Sequence, residues 1–159
     1  MNQEFDIYGA RILIVDDQPA NVALLEQLLE NSGYQQVSST MDPQTVCALH
    51  AAKPYDLILL DLKMPVMDGF EVMDGLKKNT TDPYLPVIVL TAEPGHKLRA
   101  LEAGAKDFIS KPFDVVEVKT RIYNMVEVRL LYKKLENYSK LLEHATQQGT
   151  DALRTAKQL

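Results

Sequence analysis

Short apolar runs alternate with amphipathic stretches along this chain of 159 residues. Five runs have strand character: "RILIV" at 11–15, "QVSS" at 36–39, "DLILL" at 56–60, "PVIVL" at 86–90 and "KDFI" at 106–109. Between them, "PANVALLEQLLENSG", "DPQTVCALHAAK", "DGFEVMDGLKKN" and "PGHKLRALEAGA" carry apolar residues at helical spacing or end on a Gly or Pro stop. Leu57-Ile58-Leu59-Leu60 shows no polar alternation, which suits a strand covered on both faces. A strand-then-helix unit repeated in this way predicts an α/β protein: a five-stranded, doubly wound parallel sheet with helices on both faces and right-handed crossovers. "QVSS" is polar and is expected at an edge.

Composition changes this picture little. A hydrophobic share of 46% is enough for a real core, and the length allows one ordinary domain with an appendage. The net charge of -5 is unevenly placed: residues 1–113 hold 16 acids against 9 bases, and residues 114–159 hold 6 against 8. An acidic front domain argues against backbone-driven nucleic-acid binding and suits a site that collects a cation. The lone Cys47 excludes an internal disulfide and, within an apolar helical pattern, reads as core filler. His50, His96 and His144 are scattered without ligand spacing, so a histidine metal site is not expected. No apolar run approaches membrane-spanning length and no signal peptide opens the sequence, so a cytoplasmic location without membrane contact is expected.

Candidate chemistry falls at the strand ends. Asp16 and Asp17 follow the first strand, Asp61 the third, Thr91 the fourth and Lys111 the fifth. In a parallel sheet these residues share the carboxyl edge, where open α/β sheets bind ligands. Three carboxylates held together repel one another unless a divalent cation neutralises them, and magnesium is the natural occupant of an oxygen-rich site that also takes a phosphate. A lysine and a threonine hydroxyl facing the same point suit the remaining phosphoryl oxygens. Each residue also has an ordinary reading. Asp61 could cap the next turn, Asp16-Asp17 could cap the helix before Pro19, and Lys111 could be a turn lysine. Gly69 most simply permits a turn, and Met64 and Met67 read as packing.

The conjunction of "VDDQPAN", "LLDLKMPVMDG", "VLTA" and "AGAKDFISKPF", in this order, resembles the receiver domain of two-component response regulators over residues 11 to about 123. The resemblance implies a flavodoxin-like receiver fold in which Asp61 accepts a phosphoryl group from a sensor histidine kinase or a histidine phosphotransfer protein. It implies Mg2+ as cofactor, bound by Asp17, by Asp16 directly or through water, by Asp61, and by the backbone carbonyl of Lys63. Thr91 and Lys111 would hold the phosphoryl group, with a cis peptide before Pro112. Phe108 would be the aromatic switch whose ring moves inward with Thr91. Lys63 and Glu93 match positions that tune phosphoryl lifetime in the family. Haloacid-dehalogenase-like phosphatases share the nucleophile, cation, threonine and lysine, but their acid-base aspartate two residues after the nucleophile is replaced here by Lys63. A third reading is a phosphorylation-independent interaction module on a receiver fold.

Beyond Phe113, "DVVEVKTRIYNMV" supplies the last helix a receiver needs, yet the pattern continues. Val128, Leu131, Leu135, Tyr138, Leu142 and Ala145, followed by Gly149, Ala152, Ala156 and Leu159, alternate spacings of three and four as in a coiled-coil seam. Gly149 and Thr150 are poor helix formers, so a kink or fraying is expected there. The expected organisation is a phosphoreceiver domain over 1–125 and a coiled-coil linker helix over 126–159 that makes a homodimer. The alternative is one amphipathic helix packed on its own domain. The stretch "SKPFDVVEVKTRIYNMVEVRLLYKKLENYSKLLE" resembles the receiver-to-linker segment of regulators carrying an HD-GYP-type cyclic-di-GMP phosphodiesterase. No catalytic output motif occurs, so the chain is expected not to be an enzyme beyond its own phosphorylation and dephosphorylation. No helix-turn-helix or basic recognition helix occurs either, so direct DNA binding is not expected.

Overall fold

Each apolar run becomes a strand of one parallel sheet in the computed structural model, which describes residues 6–79, 82 and 84–157, with side chains as far as 150. Strands β1 (Arg11–Val15), β2 (Gln36–Thr40), β3 (Leu57–Asp61), β4 (Val87–Thr91) and β5 (Asp107–Ser110) lie in the order β2-β1-β3-β4-β5, every neighbouring pair parallel. Helices α1 (Pro19–Ser32), α2 (Val46–Ala52), α3 (Gly69–Asn79) and α4 (Gly95–Glu102) form the crossovers, and α5 (Val115–Lys157) follows β5. The doubly wound parallel sheet is what the alternation predicts, and its strand order is the flavodoxin-like one that the receiver resemblance implies.

Side chains leave a strand on alternating faces, so each apolar run feeds two cores. Ile12, Ile14, Leu57, Leu59, Ile88 and Leu90 pack with α1 and α5, whereas Leu13, Val15, Ile58, Leu60 and Val89 pack with Val46 of α2, Val72 and Leu76 of α3 and Ala100 of α4. Polar β2 lies at the edge, mostly exposed, as its composition predicts. The sequence runs place β3 and β5 one residue early. Asp61 is itself the last residue of β3, opposite Leu90. Pro86, lacking an amide hydrogen, stays outside β4, although its carbonyl accepts from the Ile58 amide at 3.1 Å. The helix expected from residue 42 starts later: Pro43–Thr45 is a 3-10 turn, capped by the Asp42 carboxylate accepting from the Gln44 amide at 3.0 Å. Cys47 is half-buried at the rim of the second core, where burial pushes its thiol above the ordinary value, as suits a packing residue.

Helix α5 begins as a core element and ends as something else. Val118, Ile122 and Val126 are fully buried against the α1 side of the sheet. One turn later Arg129, only 3% exposed, makes an ion pair with the Asp82 carboxylate and donates to the Tyr84 carbonyl. Burial opposes ionisation of Asp82, but the hydrogen bonds from Arg129 and the Tyr84 amide outweigh it and hold the carboxyl below its ordinary value. Lys133 Nζ donates to Asp56 Oδ1 at 2.8 Å, Asp56 Oδ2 accepts from the Arg11 amide at 2.9 Å, and Tyr132 stacks on Tyr84 at 4.6 Å. These contacts fasten the helix to the amino-terminal edge of the sheet.

Farther out the helix leaves the domain. Val128, Leu131, Leu135, Tyr138 and Leu142 are exposed, 68% in the case of Leu135. At about 100° per residue they lie roughly opposite the face that packs on the domain through Ile122, Val126, Arg129 and Lys133. Ala145 is exposed too. The backbone stays helical across position 125 and through Gly149 and Thr150, where the sequence predicts a kink, with the Thr150 hydroxyl donating to the Thr146 carbonyl at 3.0 Å. Leu159 and the side chains of Ala152 and Ala156 lie outside the described residues. Among the described residues no helix is long and apolar enough to cross a membrane.

Removing Arg129 would take away the buried cation that stands between Asp82 and Asp56. Arg129→Ala should therefore destabilise the domain by about 3 kcal/mol, whereas Lys133→Ala, at a half-exposed position, should cost about 1 kcal/mol or less. Urea unfolding of the two variants checks this; equal losses would show that the guanidinium is not the fastening group.

Candidate functional site

The parallel register brings the strand-end residues to one point. Asp16, fully buried, follows β1 and turns Oδ1 back to accept from the Gln18 amide at 3.0 Å. Its Oδ2 faces Lys111 Nζ at 3.3 Å, and the same ammonium donates to Asp61 Oδ1 at 3.1 Å. Lys111 comes from the loop after β5, tied there by its amide to the Thr91 carbonyl at 2.9 Å and followed by a cis peptide to Pro112. Carboxylate oxygens of Asp16, Asp17 and Asp61 lie within 4.8 Å of one another. Asp17 Oδ1 is buried and has no hydrogen-bond partner among the described residues.

An unpaired buried carboxylate oxygen beside two more carboxylates is a costly arrangement without a cation. Asp61 registers that cost. Burial and the charge of Asp16 push its carboxyl up to about 6, although Lys111 and the Lys63 amide pull the other way. The donor set is all oxygen and carries several charges, which fits a hard divalent ion such as magnesium and not a thiolate- or imidazole-seeking metal. Gly69 serves this site by close approach: a Cβ there would stand 2.6 Å from the Asp61 carbonyl oxygen and 2.9 Å from Leu62 Cα. Its role is therefore space beside the acceptor strand, more specific than the turn expected from sequence.

The other expected residues lie on the neighbouring strands and loops. Thr91, 5% exposed, ends β4, and its hydroxyl accepts from the Glu93 amide at 3.0 Å. The Lys63 amide donates to Asp61 Oδ1 at 3.4 Å, and its side chain forms an ion pair with Glu93. Phe108 is half-buried in β5 with Lys97 Nζ 4.7 Å and the Arg121 guanidinium 5.3 Å from its ring centre. Met64 is buried and Met67 partly buried in the second core, as packing residues. The seam residues of α5 are not part of this constellation.

Two groups have no counterpart in the sequence reading. His96 Nε2 lies 3.1 Å from Glu93 Oε2, a pairing that the three-residue spacing at the start of α4 could suggest. The Arg129–Asp82 pair joins residues 47 apart and has no local signal at all.

Comparisons with known proteins agree with this geometry. The model of the family described as response regulator receiver domain matches residues 12–123. The response regulator PleD of Caulobacter vibrioides is 43% identical over 129 residues, covering 80% of this chain and 28% of PleD. A Vibrio cholerae protein named a probable cyclic di-GMP phosphodiesterase is 32% identical over 156 residues, covering 97% of this chain and 34% of that one. The chain thus spans about a third or less of the length of these curated relatives. Among solved structures, the receiver domain of the sensor histidine kinase PA1611 from Pseudomonas aeruginosa, described with a magnesium ion coordinated in its active site cleft, superposes with a TM-score of 0.68 at 30% identity, covering 74% of this chain and 98% of that one. A putative response regulator from Chloroflexus aurantiacus gives 0.70 at 27% identity, covering 74% of this chain and 98% of that one. Because the family match takes in well over half of the residues, this chain belongs to the response regulator receiver domain family of two-component systems.

Proposed function

We propose that the chain accepts a phosphoryl group on Asp61 from a phosphohistidine, carried by a sensor histidine kinase or a histidine phosphotransfer protein, and passes the change outward through α5. The observation that carries this is the Lys111 ammonium shared between Asp61 and Asp16 beside an unpartnered oxygen of Asp17. An Asp61 oxygen forms a bond to phosphorus while the phosphorus–nitrogen bond breaks and its electron pair leaves with the imidazole. Asp16, Asp17, Asp61 and the Lys63 carbonyl would hold Mg2+, which, when bound, neutralises the carboxylates and the phosphoryl charge. Lys111 and Thr91 orient the phosphoryl oxygens. Thr91 must first give up its contact with the Glu93 amide, and Phe108 fills the space left behind. A phosphatase reading lacks its acid: Lys63 stands two residues after Asp61 and is paired to Glu93.

In this reading residues 1–125 are the receiver and 126–159 the linker of a longer regulator, with a cyclic-di-GMP phosphodiesterase as the output class, supported by the likeness to the Vibrio cholerae protein along nearly all of this chain. The exposed stripe Val128, Leu131, Leu135, Tyr138, Leu142 and Ala145 is the seam of a homodimer. Its three-four spacing matches knobs-into-holes packing, and it points away from the chain's own domain.

Incubation with acetyl phosphate and magnesium should add one phosphoryl group by intact mass, and none to Asp61→Asn; equal labelling of that variant would rule out Asp61 as acceptor. Magnesium binding should also depend on pH. The folded, metal-free protein holds the Asp61 proton up to about 6, above the unfolded carboxyl value of about 3.9. Ionising Asp61 therefore costs stability as pH rises through that window, and the cation competes with the proton. Magnesium titrations should show affinity falling below about pH 6 and nearly constant above about pH 7. Identical titrations on both sides would contradict the assignment. Replacing both Leu135 and Leu142 by Glu should yield monomers by light scattering, because each would bury an unpaired charge in the seam, while Asp61 is still labelled. A charged variant that stays dimeric would disprove the seam.

A further inference from the structure

A cavity of about 410 Å3 opens at the amino-terminal edge of the sheet, between the middle of α5 and the corner where α1 turns into β2, and the phosphoacceptor reading leaves it unused. Three tyrosines line it: Tyr8, in the 3-10 turn Ile7–Gly9 ahead of β1, Tyr34, between α1 and β2, and Tyr123 of α5. Local backbone fixes the first two. Gly33, at a φ of 105°, ends α1, and the Gln35 amide donates to the Tyr8 carbonyl at 2.9 Å. The rings of Tyr8 and Tyr34 consequently meet at 5.2 Å between centres, tilted by 58°. Lys119, Thr120 and Asn124 complete the wall on α5, while the Ser32 hydroxyl is already committed to the Leu28 carbonyl at 2.8 Å.

The wall is rich in donors and holds no acid. Tyr34 is only 6% exposed, yet its hydroxyl has no hydrogen-bond partner among the described residues, an uncommon state for a buried phenol. Burial, and then the neighbouring phenols of Tyr8 and Tyr123, push it up to about 12, so at neutral pH it keeps its proton and can donate. Lys119 is exposed and forms no ion pair among the described residues; the positions one turn away, Val115, Val116, Ile122 and Tyr123, offer it none. In a chain of net charge -5, an ammonium lining a cavity that has no carboxylate is a local exception. Asn124 adds an amide that donates or accepts.

We propose that this cavity is a binding site for a small aromatic anion, with a planar ring against the tyrosines, a carboxylate or phosphate on Lys119, and an acceptor atom on the Tyr34 hydroxyl. The volume lies within the range of small-molecule pockets and has room for a ligand the size of a mononucleotide. Aromatic rings pack best offset or tilted, and tyrosines drawn from three separate elements offer a flat ligand such contacts. One ammonium matches one anionic group, so the site suits a single small molecule and not the repeated phosphates of a nucleic acid. Bound there, the ligand joins α5 to the α1–β2 corner without involving Asp61. Aromatic carboxylates and mononucleotides share this chemistry.

Amide NMR of the full chain, titrated without magnesium, tests this with adenosine monophosphate and indoleacetate as anionic probes, adenosine and indole as their uncharged counterparts, and inorganic phosphate and acetate as anions without a ring. An anionic ring compound should shift the amides of Tyr34, Lys119 and Tyr123 and leave those of Asp61 and Lys111 in place. A response to the nucleotide alone identifies a nucleotide site, and a response to indoleacetate alone an aromatic carboxylate site. Lys119→Ala should weaken binding about tenfold, as expected for one hydrogen bond to a charged group, and Tyr123→Ala about tenfold through lost stacking. Both side chains are exposed, so the domain should keep its fold. Tyr34→Phe, which removes only the hydroxyl, should cost about fivefold, and Asp61→Asn should bind as the parent does. The site would be overturned by uncharged or ring-free probes acting as strongly as the anionic rings, by unchanged affinity in Lys119→Ala or Tyr34→Phe, by weakened binding in Asp61→Asn, by shifts confined to the acceptor site, or by no shift with either anionic probe at millimolar concentration.

Discussion

A single ammonium group, Lys111 Nζ, is held between two buried carboxylates at the carboxyl edge of the sheet, and much of the architecture follows from the need to deliver it there. Its partners, Asp16 and Asp61, lie 95 and 50 residues away in sequence. Only parallel strands in fixed register bring them together: Val15 opposite Leu60, Asp61 opposite Leu90, Thr91 opposite Ser110. A slip of one residue in any pair would send these side chains to the opposite face and exchange the residues that fill the two cores. Burial and the neighbouring charge of Asp16 raise the cost of ionising Asp61, so the site calls for positive charge, from the lysine and from whatever cation joins it.

How much of this is legible in the residues varies with the range of the interaction. The strands and the acidic edge can be read because an apolar run ending in a polar residue is a local signal, and the β-α alternation leaves few topologies to choose from. Asp16, Asp61, Thr91 and Lys111 are located by that reasoning and do converge. Boundaries slip by a residue where the strand takes in its own functional end, as at Asp61, or where Pro86 has no hydrogen to donate. Gly69 reads as a turn residue, since crowding against the Asp61 carbonyl is a tertiary fact. His96 lacks metal-ligand spacing, and its hydrogen bond to a rim glutamate leaves only a faint trace in the pattern. Arg129 looks like one more surface charge on a helix. Its burial depends on Asp82 and Tyr84 in a distant loop, which no periodicity encodes.

β3 joins two charged assemblies. Asp56 precedes it and Asp61 ends it, so acids stand at both ends of one buried apolar strand. At the carboxyl end the counterion is Lys111, at the head of the segment leading into α5; at the amino end Arg129 and Lys133 of α5 itself surround Asp56. The first half of α5, buried through Val118, Ile122 and Val126, runs between the two assemblies. The loop that carries Lys111 thus leads into a helix whose other anchorage is ionic and directional. Apolar packing along its middle tolerates small sliding far better than a bidentate ion pair tolerates rotation.

Beyond Arg129 the same helix continues to Lys157, and every position from 137 to 150 is exposed. It behaves as a cantilever clamped at its root. At about 1.5 Å per residue the arm beyond Arg129 is about 42 Å long, so a tilt of about 5° at the clamp displaces its tip by about 4 Å. That is comparable to the rise of one helical turn. An arm of this length, held only at its root, magnifies any tilt there by leverage alone.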